Sequence, residues 1–115
     1  MEETLPPLGA LRAFALVAET GSLTAAAAAL NVTQPAISKR LRLLETALGV
    51  ALLRRGANAV ALTEAGERYA AEVSAAFARL RAATAALDAR RQAGLAASIA
   101  QRALMAIAVN ARRRG

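Results

Sequence analysis

The sequence predicts a mainly α-helical fold of three short helices, a small β-hairpin and one long helix. Alanine dominates, and aromatics are limited to Phe14, Phe77 and Tyr69; alanine enters a helix without losing side-chain entropy. Apolar residues recur at spacings of three and four through most of the chain, the period of a helix face. One stretch, residues 50–62, breaks that period with two short apolar segments around the turn-prone Gly56 and Asn58.

The elements follow in order. Pro6-Pro7 forbids helix just before Leu8, so the first helix starts there. Leu8, Leu11, Ala15 and Ala18, with Phe14 beside them, form its apolar stripe, and Gly21 stops it. Ser22 is the N-cap of a second helix from Leu23 to Leu30. Asn31 tolerates the left-handed conformation of a tight turn. Thr33 caps a third helix with Pro35 in its first turn, where a missing N–H costs nothing, and that helix ends at Gly49. Val50–Leu53 and Val60–Leu62 read as the two strands of a hairpin, with Arg54–Ala59 as its turn. Thr63 caps a fourth helix, and Glu64 and Glu67 sit in its first turn, where the helix dipole favours acids.

The fourth helix is expected to run to Arg91. Its apolar positions Tyr69, Val73, Phe77, Leu80, Thr84 and Leu87 are spaced 4, 4, 3, 4 and 3, a heptad seam from Val73 onward. An amphipathic helix packed on its own domain has a similar pattern. Three short helices and a hairpin cannot cover roughly 40 Å of helix at about 1.5 Å per residue, which favours a partner chain. Gln92-Ala93-Gly94 breaks the pattern, leaving an alanine-rich tail with no predicted fold. The expected organisation is residues 1–66 as one domain of three helices and a hairpin, 67–91 as a linker and dimerisation helix, and 92–115 as tail.

Composition excludes several function classes. The formal charge is +7, from 15 Lys and Arg against 8 Asp and Glu, and it is unevenly distributed. Residues 39–55 hold Lys39, Arg40, Arg42, Arg54 and Arg55 against Glu45 alone, and Arg112-Arg113-Arg114 follow near the end. Such a patch attracts polyanions, although a solvated helix face with a basic tail has the same composition. There is no cysteine and no histidine, so neither a thiolate metal site nor the commonest general base is available. The acids are scattered, no glycine-rich phosphate loop joins them, and an enzyme, a metal or a cofactor is not expected. Met1-Glu2-Glu3-Thr4 lacks the plan of a signal peptide. The apolar run Ala103–Val109 is well short of the roughly 20 residues of a spanning helix. A cytoplasmic protein with no membrane association is expected.

Two short helices joined by about three residues, with small Ala27 inside the first, describe a helix-turn-helix. The third helix has two faces. Ile37, Leu41, Leu44 and Leu48, spaced 4, 3 and 4, form the buried stripe. Gln34, Ser38 and Arg42, at i, i+4 and i+8 and flanked by Lys39, form an exposed one. Amide, hydroxyl and cation in one row suit major-groove reading: Gln pairs with adenine, Arg and Lys with guanine, and Ser donates or accepts. Singly, each is ordinary helix surface; together, after a turn of this spacing, they point to base edges.

The chain from Leu8 to about Arg91 resembles the N-terminal DNA-binding domain and linker helix of the LysR-type transcriptional regulators. The resemblance is carried by Phe14, Gly21-Ser22-Leu23-Thr24-Ala25-Ala26-Ala27, Leu30 and Thr33-Gln34-Pro35-Ala36-Ile37-Ser38, then Leu44-Glu45, Leu48-Gly49-Val50 and Leu62-Thr63-Glu64-Ala65-Gly66. It covers roughly three-quarters of the chain. It implies a mainly α, winged helix-turn-helix with a small β-hairpin wing and a long C-terminal dimerisation helix. Thr33, Gln34, Pro35, Ser38 and Lys39 would meet bases and phosphates in the major groove, and Arg55 would reach into the adjacent minor groove. The fourth helix would pair antiparallel with its copy, and the dimer would bind an inverted-repeat operator in double-stranded DNA.

The sequence departs from the family pattern in several places. Position 25, often basic in the family, is Ala25; the arginine-rich wing tip is replaced by Gly56-Ala57-Asn58-Ala59 and Ala61; the usual wing phenylalanine is Leu53. Arg54 partly compensates, and the backbone grip is expected to be weaker than is typical. Family members continue as an effector domain, whereas this sequence ends 24 residues beyond Arg91. No small-molecule effector is therefore expected for this chain. Its tail reads as out-of-frame translation of GC-rich DNA or as a truncated gene. A heterodimer with a full-length relative is the alternative to a homodimer.

Overall fold

The computed structural model describes residues 5–56 and 60–114, in the order α1 (Leu8–Thr20), α2 (Leu23–Leu30), α3 (Gln34–Leu48), β1 (Leu53–Arg55), β2 (Val60–Leu62) and α4 (Glu64–Arg114). Met1–Thr4, the wing-tip residues Ala57-Asn58-Ala59 and Gly115 lie outside the described residues. The chain divides into two units, Met1–Ala76 and Phe77–Gly115.

In the first unit, α1, α2 and α3 pack on one another. The turns between them are where local chemistry predicts. Gly21 and Gly49 close α1 and α3 at φ +68°, a left-handed geometry that costs glycine no Cβ clash. Asn31 closes α2 at φ 56°. Ser22 Oγ accepts from Ala25 N at 3.1 Å and Thr33 Oγ1 from Ala36 N at 3.2 Å, so both helices of the helix-turn-helix carry side-chain N-caps. Only Asn31-Val32-Thr33 separate α2 from α3.

The core is built from Leu11, Ala13, Phe14 and Val17 of α1, Ala26 and Ala27 of α2, and Ile37, Leu41 and Leu44 of α3. Leu52, Leu53, Ala70 and Val73 complete it. Leu48 is half-buried, so the predicted stripe of α3 holds. The stripe of α1 is corrected: Val17 is buried, Ala15 and Ala18 are half-buried, and Leu8 is 62% exposed. The face that turns inward is the one carrying the bulkier Phe14 and Val17, which remove more apolar area from water than the alanines would.

The hairpin is real but its first strand is displaced. Leu53 pairs with Leu62, Arg54 with Ala61 and Arg55 with Val60, antiparallel. The apolar pattern predicts this strand at Val50–Leu53, with Arg54 and Arg55 in the turn. Backbone groups of residues 50–52 have other partners. Val50 N donates to Glu45 O, Leu52 N to Glu45 Oε2, Thr63 N to Leu52 O, and Thr63 Oγ1 to Ala51 O. An apolar run reports burial; it does not report which hydrogen bonds satisfy the backbone.

Thr63 Oγ1 accepts from Gly66 N at 3.0 Å and caps α4 as predicted, with Glu64 and Glu67 in its first turn. The helix does not end at Arg91. It runs to Arg114, 51 residues in all, through Gly94. A glycine costs a helix about 1 kcal/mol relative to alanine, and the surrounding alanines have the best propensity available. Every residue with a described side chain from Ala78 onward is exposed. The predicted seam is therefore divided. Val73 is 7% exposed and belongs to the core of its own domain, and Tyr69 is half-buried with its ring 5.8 Å from that of Phe14. Phe77 is half-buried, whereas Leu80 and Leu87 are 55% and 66% exposed.

The expectation about membrane length is also revised. The helix contains an 18-residue window of mean hydropathy 1.3, long and apolar enough by composition to cross a membrane. Counting one uninterrupted run missed it because Gln101 and Arg102 divide the apolar residues of this stretch. A central arginine costs insertion about 2.5–3.5 kcal/mol on translocon scales.

Candidate nucleic-acid interface

The two faces of α3 separate as its sequence requires. Ile37 and Leu41 are fully buried, while Gln34 and Arg42 are exposed. Ser38 lies between them, half-buried. This row forms one wall of an open cleft of about 550 Å³. The N-terminus of α2, with Gly21, Ser22, Leu23 and Thr24, borders it, and the wing supplies Arg55, Gly56 and Val60.

Of the predicted DNA-binding residues, the cleft thus brings together Gln34, Ser38, Arg42 and Arg55. Thr33, Pro35 and Lys39 are exposed on the first turns of α3 but do not line it. Thr33 has a local task as well, because its hydroxyl caps the helix and so orients Gln34 and Pro35. Arg54 is exposed, and strand alternation sends it to the face of the ribbon opposite Leu53 and Arg55. Leu53, at the position of the usual wing phenylalanine, is 6% exposed and belongs to the core.

Arg55 is not free. Its Nη2 lies 3.3 Å from Oε1 of Glu45, with side-chain exposures of 29% for the arginine and 15% for the acid. Oε1 is buried and has no hydrogen-bond partner among the described residues. The contact is therefore close but not aligned as a hydrogen bond, and its attraction is Coulombic. The other oxygen, Oε2, accepts from Leu52 N at 2.9 Å and more weakly from Leu53 N at 3.4 Å. Sequence reasoning singles out neither Glu45, which pairs with Arg55, nor Ser22 and Thr24, which border the cleft at the start of α2. The available signal for Glu45 was its place three residues after Arg42, the one acid in a basic stretch.

Among the described residues no cluster of three or more Cys, Asp or Glu is placed to hold a metal. The cleft offers an amide, hydroxyls and guanidinium groups with no general base among them, a set that recognises by hydrogen bonding and charge.

The sequence pattern of the bacterial regulatory helix-turn-helix proteins of the lysR family matches residues 8–67. The chain is 43% identical over 94 residues to the glycine cleavage system transcriptional activator of Escherichia coli, covering 82% of this chain and 31% of that protein. It is 46% identical over 92 residues to the HTH-type transcriptional regulator TrpI of Pseudomonas aeruginosa, covering 80% and 30%. It spans less than a third of the length of these relatives. Among solved structures, it is similar to the DNA-binding domain of BenM in complex with catB site 1 DNA, with TM-score 0.64 and 32% identity over 74% of this chain and 89% of that one. It is also similar to the DNA-binding domain of CbnR in complex with DNA, with TM-score 0.60 and 35% identity over 82% and 99%. With the profile match spanning the three helices, the hairpin and the start of α4, this chain belongs to the LysR family of bacterial helix-turn-helix regulatory proteins.

Proposed function

We propose that the chain is a sequence-specific DNA-binding module of a transcriptional regulator, acting in the cytoplasm as a homodimer on an inverted repeat in double-stranded DNA. The observation that carries this is the shared cleft: Gln34, Ser38 and Arg42 of α3 face the same opening as Arg55 of the wing. An α-helix entering the major groove brings the first three to base edges, where the amide and guanidinium make paired hydrogen bonds. The wing then lies over the adjoining backbone and minor groove, within reach of Arg55. Thr33, Pro35, Lys39 and Arg54 flank this surface and supply phosphate contacts, which contribute affinity with little choice of sequence. Two similar solved structures are DNA-binding domains in complex with DNA.

Dimerisation falls to the exposed part of the seam, Leu80, Thr84 and Leu87, continuing from Tyr69, Val73 and Phe77. Exposed leucines a heptad apart on a helix are stabilised by a matching helix, and a two-fold pair presents two reading helices to neighbouring major grooves. The same exposed leucines fit a second reading, in which the helix pairs with a full-length relative as a heterodimer.

Selection of bound fragments from random double-stranded DNA tests the proposal. An enriched inverted repeat is the expected result. Recovery of fragments with no common motif would remove the sequence-specific reading.

A further inference from the structure

We propose that Glu45 is a positioning residue of the interface, holding the wing arginine Arg55 in place beside the recognition helix; the proposal rests on the reading that Arg55 meets DNA. Glu45 follows Arg42 by three residues and Ser38 by seven, so it prolongs the row Gln34, Ser38, Arg42 on one face of α3. An acid there is unfavourable for a surface that approaches phosphates, unless it is neutralised and occupied.

Glu45 is both. Oε2 accepts from the amides of Leu52 and Leu53, the groups through which the chain enters β1. Oε1, buried and without a hydrogen bond among the described residues, lies against the guanidinium of Arg55 two residues further along. One carboxylate thus fixes where the wing leaves the domain and where its arginine stands. Arginine has five N–H donors, and a contact at Nη2 leaves the others for a phosphate or a base edge. Ordering the long side chain before DNA arrives lowers the entropic cost of binding.

The sign of one substitution separates this role from that of a bystander charge. Glu45→Gln removes a negative charge beside the cleft, so a bystander's loss tightens binding to all DNA. Loss of a positioning residue instead weakens binding to the selected inverted repeat, by about tenfold, while binding to random-sequence DNA at the same salt holds or rises. Fluorescence anisotropy on the full 115-residue chain reads both. In an Arg55→Ala background the cost of Glu45→Gln is expected to vanish. Tighter binding to both DNAs, or an equal loss with and without Arg55, overturns the proposal. Arg55→Ala without effect on binding removes the wing's DNA contact and this proposal with it. A clear loss in Arg55→Ala beside a neutral Glu45→Gln removes only the role of Glu45. If Glu45→Gln fails to fold, nitrogen-15 NMR of the unaltered chain decides: hindered rotation of the Arg55 guanidinium in the absence of DNA supports the tether, and free rotation overturns it.

Discussion

Gly66, in the first turn of α4, lies directly against the backbone carbonyl of Leu52, so that a Cβ added at Gly66 would overlap that oxygen. The carbonyl is held in place because it accepts from Thr63 N at 3.0 Å, and Thr63 in turn caps the helix that carries Gly66. The start of α4 and the entry to the wing are thus locked together by backbone atoms, with no flexible side chain between them to yield.

From that contact, Gly66→Ala is expected to destabilise the fold by about 1–3 kcal/mol, the usual range for overpacking. The sign is informative, since alanine in a helix gains up to about 1 kcal/mol over glycine from propensity. Urea denaturation measures it, and a variant as stable as the parent would mean that the strand entry shifts freely.

Gln34→Ala and Ser38→Ala are each expected to cost about 1–3 kcal/mol at the cognate repeat and to leave binding to unrelated DNA nearly intact. Both line the cleft and neither is in the core, so melting temperature should hold. Titrations against cognate and scrambled duplexes at one salt concentration separate the cases. Equal losses on both would reassign these side chains to backbone contact.

Paired charges on the exposed seam, Leu80→Asp with Leu87→Asp, are expected to give a folded monomer with much weaker binding to the repeat. Analytical ultracentrifugation reports the mass and circular dichroism the fold. Val73→Asp is unsuitable for this purpose, because Val73 is 7% exposed within its own domain and an unpaired buried carboxylate would unfold it. A double variant that still sediments as a dimer would refute the assignment of the seam.

Much of this protein is encoded locally. Gly21, Asn31 and Gly49 stop helices because they adopt left-handed geometry, and Ser22, Thr33 and Thr63 start them because their hydroxyls accept from amides three residues on. The two faces of α3 follow from spacing, since a helix sorts residues by angle wherever it packs. These interactions span a few residues, and so they could be read along the chain. Longer-range contacts could not. Whether Val17 or Ala18 turns inward, why residues 50–52 form no strand, and why Tyr69 and Val73 face their own domain all depend on neighbours remote in sequence. Glu45 illustrates the difference: its place in the row of Gln34, Ser38 and Arg42 was legible from the period of the helix, but the partners of its two oxygens, Leu52 and Leu53 on one and Arg55 on the other, came into reach only when the chain folded back after Gly49.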